Sequence, residues 1–287
     1  TQHWNPHPRT RLSGVLGACE ELTVGAWTRG AGSRVRGTGR AADSRLELGL
    51  LGPLVASRGA QPIPVAGPKP RALLSILALE AGRVVSADRL VEELWPEQPP
   101  GTATHAVQVY VSQLRKALGA DAISTRRPGY VLELDPERVD VHRFVRLADD
   151  GRAALQSGDP LAAARALRES LALWRGSALA DFAYEPFAQT EIARFEELRL
   201  VALEERIQAD LELGRHAGLV SELEALVREQ PLRERPRAHQ MLALYRSGRQ
   251  ADALAAYRRA RKTLVEEIGV EPGPALRELE AAILRQD

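Results

Sequence analysis

The chain has 287 residues, 44% apolar and 27% charged, with a formal net charge of +1 at pH 7. That length can bury two separate cores, and near-neutrality excludes a protein that holds nucleic acid by bulk charge, so any contact with DNA must be local. The single cysteine, Cys19, excludes an internal disulfide framework and points to a reducing, cytoplasmic setting, while no apolar run nears the roughly 18 residues of a membrane span.

Arginine outnumbers lysine 36 to 3, a bias of GC-rich genomes that says nothing of mechanism. Residues 1–44 have no sustained periodicity. Gly, Arg and Ser crowd Arg29 to Arg40, and six arginines face three acids over the whole segment, so a disordered tail is expected. No methionine precedes Met241, which also fits a start site placed too early. Gly32 to Gly37 has phosphate-loop spacing but leads into Thr38-Gly39, without the Lys and Ser/Thr that bind phosphate and metal.

From Arg45 the pattern becomes structured. Leu46, Leu48 and Leu50 alternate with Glu47 and Gly49, and Leu54-Val55 and Ile63 to Val65 add short strands, so the spacing predicts a small antiparallel sheet. Lys69 to Ala81 places Leu73, Leu74, Leu77 and Ala81 on one helical face, ended by Gly82. Val84-Val85 reads as a strand remnant. Ser86 caps a second helix with Leu90, Val91, Leu94 and Trp95 inward, stopped by Pro96. The loop to Gly101 contains Pro99-Pro100.

The third helix, Thr104 to Leu118, carries most of the functional argument. Val107, Tyr110, Val111, Leu114 and Leu118 fall on one side, with Ala103 extending the stripe backwards, and the other side is polar. Thr102 or Thr104 can cap its start, and Gly119 stands where a left-handed residue would end it. Ile123 to Arg126 and Tyr130 to Leu134 predict a hairpin turning at Pro128-Gly129. From Gly101 to Tyr130 four cations face one anion, Asp121. A helix with a buried stripe and a face of amides and cations suits the major groove, and an arginine-tipped hairpin suits the neighbouring minor groove or a phosphate.

Sheet, helix, short strand, helix, loop, helix, hairpin is the order of a winged helix-turn-helix with an added N-terminal sheet, whose later helix enters the major groove. Leu94-Trp95, the run VYVSQLRKAL from Val109 to Leu118 and Gly129-Tyr130 resemble the OmpR/PhoB-type winged-helix domain. The resemblance implies DNA binding by Thr104, His105, Gln108, Val109, Ser112, Gln113, Arg115 and Lys116 on the recognition helix. Within that set, His105, Gln108, Val109, Ser112 and Gln113 would face bases, while Thr104, Arg115 and Lys116 would contact mostly phosphates. Arg126 and Arg127 would act from the wing, and Trp95, Lys69 and Arg71 are further candidate phosphate contacts. Many relatives have arginines where this chain has Ser112 and Gln113, which implies a different base preference. Tyr130 is expected to pack beneath the wing, and Trp95 also suits a core or interdomain filler.

From Val139 onward the pattern is helical. LELGRHAGLVSEL, with Gly214, matches LYRSGRQADALAAY, with Gly248, at an offset of 34 residues, the tetratricopeptide period, and a weaker copy surrounds Gly158. With 22 cations against 25 anions, residues 139–287 have no excess charge for DNA, so protein contact is the expected role. The runs ALWRGSALADFAYEPFA, EELRLVALEERIQADLELGRHAGLVSELEALV and EEIGVEPGPALRELEAAIL resemble the bacterial transcriptional activation domain. Together the two halves resemble the Streptomyces antibiotic regulatory protein family, small type.

The expected fold is mainly α with a small β part. A disordered tail covers 1–44, a winged-helix domain 45–138, and a tetratricopeptide-like activation domain 139–287. The resemblance implies a cytoplasmic, nucleoid-associated activator of an antibiotic biosynthetic gene cluster. It would bind direct repeats in promoter DNA as a head-to-tail pair and recruit RNA polymerase through sigma factor and other subunits. No cofactor, metal, membrane contact or catalysis is expected: the six histidines are scattered, with no HExxH, and no acidic receiver domain is present to supply phosphorelay control. The rival reading is a helical-repeat scaffold whose winged helix binds protein; the cationic helix and wing weigh against it.

Overall fold

A computed structural model describes residues 45–286; the expected disordered tail, Cys19 and the Gly32 to Gly37 spacing lie outside the described residues. The described residues form two compact units, one of 45–157 and 165–203, the other of 158–164 and 204–286.

The first unit opens with an antiparallel sheet of β1 (Leu46–Gly49), β2 (Val55–Arg58) and β3 (Gln61–Pro62), in that order. The third strand falls two residues before the expected Ile63 to Val65, and pairing ends with the Ile63 amide on the Ala56 carbonyl at 2.8 Å; Pro62 fits this strand because it lies at the sheet edge, where its missing N–H faces away from β2. Next come α1 (Pro68–Leu79), β4 (Val85–Ser86), α2 (Ala87–Leu94) and α3 (Ala103–Leu118). The Ser86 hydroxyl accepts from the Arg89 amide at 3.2 Å, as its place before the helix predicts. The wing is β5 (Ile123–Arg126) and β6 (Gly129–Leu132), and the second sheet runs β4, β6, β5, leaving β5 at the edge. Gly129 is required here, since a Cβ would lie 1.8 Å from the Val85 carbonyl oxygen, and Tyr130 is buried as expected.

This unit extends past the winged helix. Helix α4 (Asp140–Gln156) begins with Asp140, whose carboxylate accepts from the Leu50 amide at 2.6 Å and the Leu51 amide at 3.0 Å and pairs with Arg175 at 3.2 Å. Burial pushes this carboxyl up, against those three donors, which lower it. The bend after β1 is stitched further: Arg175 and Leu179 amides donate to the Leu51 and Leu50 carbonyls, each at 2.7 Å, and the Leu54 amide donates to Asp181 at 2.8 Å. Phe144 meets Trp174 edge-on with ring centroids 5.4 Å apart, and the Arg199 guanidinium lies 4.6 Å from the Trp174 ring centre. The breaks between the compact units fall just after α4 and within α5 (Pro160–Leu171) and α6 (Pro186–Glu212).

The second unit takes the end of α6 and stacks α7 (His216–Glu229), α8 (Glu234–Arg246), α9 (Gln250–Ile268) and α10 (Pro274–Arg285). The 34-residue period is visible in the backbone. Gly214 and Gly248 both have φ +76°, their amides donate to Leu211 and Tyr245 at 3.1 and 2.9 Å, and Arg215 and Arg249 donate to Asp210 and Leu244, each at 2.9 Å. Each turn thus returns two end carbonyls of a helix to hydrogen bonding through a left-handed residue that costs glycine nothing.

Candidate nucleic-acid interface

Helix α3 is set by its apolar side. Val107, Val111, Leu114 and Leu118 are each no more than 1% exposed and Ala103 5%, and each full-sized member contributes about 1.5–3 kcal/mol by burial. Tyr110 is half-buried and stacks on Trp95, centroids 6.2 Å apart and planes at 27°. Trp95 is therefore a packing partner at the end of α2, with its ring held against α3. Thr102 precedes the helix but makes no side-chain cap bond, and Gly119 ends it at φ 111°, ψ 148°, outside the left-handed helical region. The last turn is satisfied instead by Arg58, whose Nη2 donates to the Leu118 carbonyl at 2.6 Å, a cation at the negative end of the helix dipole.

With one side buried, the rest faces solvent. Thr104, His105, Gln108, Val109, Ser112, Gln113 and Lys116 are all exposed, Val109 at 39%. They form one continuous polar face with a single aliphatic patch, as the periodicity predicts. Arg115 is half-buried: its Nε donates to the Ile123 carbonyl at 2.8 Å and its Nη2 to Thr125 Oγ1 at 2.9 Å.

The wing cations differ from one another. Along β5, Ile123 and Thr125 turn toward α3, so Ser124 and Arg126 occupy the opposite face by strand alternation. There Glu133 Oε1 accepts from Ser124 Oγ and from Arg126 Nη2, each at 2.6 Å. Arg127 stands at the exposed turn, joined to Pro128 by a cis peptide bond. Neither Arg127 nor Lys116 has an ion-pair or hydrogen-bond partner among the described residues.

Two candidates lie elsewhere. Lys69 Nζ donates to the Leu94 carbonyl at 2.7 Å and stands 3.9 Å from Glu185. Arg71 pairs with Asp181 and reaches the Leu54 carbonyl. Both cations are thereby committed to internal bonds, which a count of charges along the sequence cannot detect. Glu133 and Thr125 are the residues that the sequence reading passed over; the alternation of β5 carried the signal, since it sends Arg126 and Thr125 to different faces. Among the described residues, no helix is long and apolar enough to cross a membrane, and no group of three or more His, Cys, Asp or Glu is placed to hold a metal ion.

Comparison with known proteins gives this surface its context. Residues 64–132 match the family described as "Transcriptional regulatory protein, C terminal", and residues 139–284 match "Bacterial transcriptional activator domain". Regulatory protein DnrI of Streptomyces peucetius is 44% identical over 84% of this chain and 93% of its own length. Transcriptional regulator RedD of Streptomyces coelicolor is 42% identical over 84% of this chain and 71% of its length. Regulatory protein AfsR of Streptomyces griseus is 43% identical, but the chain spans only 25% of it. A solved structure of Mycobacterium tuberculosis EmbR in complex with a low affinity phosphopeptide superposes with a TM-score of 0.81 at 38% identity, covering 85% of this chain and 66% of that one. The chain therefore belongs to the Streptomyces antibiotic regulatory protein family of transcriptional activators, with an OmpR/PhoB-type winged-helix domain joined to a bacterial transcriptional activation domain.

Proposed function

We propose that the chain activates transcription by sequence-specific binding of promoter DNA, with α3 in the major groove and the β5–β6 wing beside it. The observation that carries this reading is the pairing, on one helix, of an almost wholly buried apolar stripe with a continuous exposed face of amide, hydroxyl, imidazole and ammonium groups. A helix so anchored presents hydrogen-bonding groups without conformational search, which is what base-edge readout requires. Gln108 and Gln113 suit adenine edges, Val109 the thymine methyl, and His105 and Ser112 either acceptor or donor edges. Thr104, Lys116 and Arg127 supply contacts to the backbone that fix register. Trp95 supports α3 from behind.

Two copies bind like-oriented half-sites as a head-to-tail pair near the promoter of a secondary-metabolite gene cluster, in the cytoplasm at the nucleoid. The helical units and the exposed loop of residues 96–101 then engage sigma factor and other RNA polymerase subunits. In functional terms the division remains a DNA-binding domain over 45–138 and an activating domain over 139–287. Gln108→Ala tests the helix directly: affinity measured over single-base variants of a bound site is expected to fall by about 1–3 kcal/mol at one base position and little elsewhere. An equal loss on every variant would remove Gln108 from the base-reading set.

A further inference from the structure

Arg115 stands beside Lys116 on the recognition helix, yet its guanidinium is turned away from the exposed face. Its two bonds, 2.8 Å to the Ile123 carbonyl and 2.9 Å to Thr125 Oγ1, both end on β5. That strand is the edge of its sheet, paired on one side with β6 alone. Between the end of α3 and β5 the chain makes only a short 3-10 turn, Ala120–Ala122, held by the Ala122 amide on the Gly119 carbonyl at 3.2 Å. Within this arrangement Arg115 is the side chain of α3 that ties the helix to the free edge of the wing. A planar guanidinium offers donors at fixed angles, so two bonds to one strand set its tilt as well as its distance.

We propose that Arg115 is a positioning residue that fixes the angle of the wing to the recognition helix, so that Arg127 meets the DNA backbone while the α3 face meets the bases. The inference rests on the DNA-binding reading above and deepens it. With the wing prearranged, the second contact forms without further ordering and adds to affinity. A lysine keeps the charge but offers one compact ammonium, which cannot reproduce the two-point fork.

The test uses the full chain and a duplex recovered by selection from a random DNA pool, with affinity followed across a fourfold range of salt. Arg115→Lys and Thr125→Val are each expected to weaken binding roughly three- to tenfold. Their combination should cost less than the product of the two, since both break the same tie. Arg115→Gln should weaken binding while leaving the slope of log affinity against log salt unchanged, because this guanidinium neutralises no phosphate. Full activity of Arg115→Lys with a silent Thr125→Val, or a slope reduced by about 0.9 in Arg115→Gln, would identify a phosphate contact and overturn the proposal. Failure of the unaltered chain to bind any selected duplex would overturn the DNA-binding reading itself, and this inference with it.

Discussion

At the scale of single residues, the interface divides its four cations into two that are engaged within the molecule and two that are free. Arg115 and Arg126 have internal partners, whereas Lys116 and Arg127 have none among the described residues. The Arg126–Glu133 pair is 60% exposed at the arginine end, so it contributes little to stability; its effect is on charge, for a carboxylate 2.6 Å from the guanidinium opposes its attraction for phosphate. Glu133→Gln keeps an acceptor for Ser124 and removes that charge. The expected result is tighter binding to DNA of any sequence, with a salt dependence steeper by about 0.9 in the logarithmic slope. An unchanged slope would mean that Arg126 never approaches the backbone. The exposed face of α3 was legible from the sequence because helical periodicity alone assigns sides. The partners of Arg115, Arg126, Lys69 and Arg71 were not, because they depend on which strand or loop the fold brings alongside: Asp181 lies 110 residues from Arg71.

At the scale of elements, local signals held where a local bond satisfies them. Ser86 caps α2, and the glycines 34 residues apart form matching turns. They failed at both ends of α3. Thr102 makes no cap bond, and the end of α3 is satisfied by Arg58, 60 residues away, in place of a left-handed turn at Gly119. The repeat turns permit a clean energetic test. A Cβ at Gly248 would meet nothing within 4 Å, so the cost of substitution is purely conformational. Gly248→Ala should lower unfolding stability by about 1–2 kcal/mol in denaturant titration, with no change in the denaturant slope. A negligible effect would show that the turn relaxes to another geometry.

At the scale of the whole molecule, the helical character and the two kinds of structure were readable from composition and period. The extent of the first compact unit was not. Asp140, Arg175 and Asp181 look like ordinary charges of a repeat helix or loop, yet they bind backbone groups of the bend after β1. The interior of the second unit contains another such surprise. His239 is fully buried on α8 with neither ring nitrogen hydrogen-bonded among the described residues, and burial, reinforced by Arg235, pushes it down to about 3. Its folded value lies below the unfolded 6.5, so its contribution to stability is complete above about pH 6.5 and is lost progressively as pH falls toward 3, by at most about 1.4 kcal/mol per unit. Asp140 is shifted upward and acts with the opposite sign, so comparison with a histidine variant isolates this term. His239→Leu should flatten the acid limb of the stability curve between pH 6 and pH 4, as followed by thermal or denaturant unfolding, while holding or raising stability at pH 7, because it removes two unpaired polar atoms. An unchanged acid limb would place the sensitivity elsewhere.

On this reading the exposed face of α3 reads DNA sequence in like-oriented pairs. The most direct measurement is selection from a random duplex pool by the purified chain at near-physiological salt, followed by sequencing of the retained DNA. The expected result is enrichment of two half-sites in the same orientation, about one helical turn or a whole multiple of it apart. Retention without sequence bias, lost on a modest rise in salt, would contradict it and leave only sequence-independent phosphate attraction at this surface.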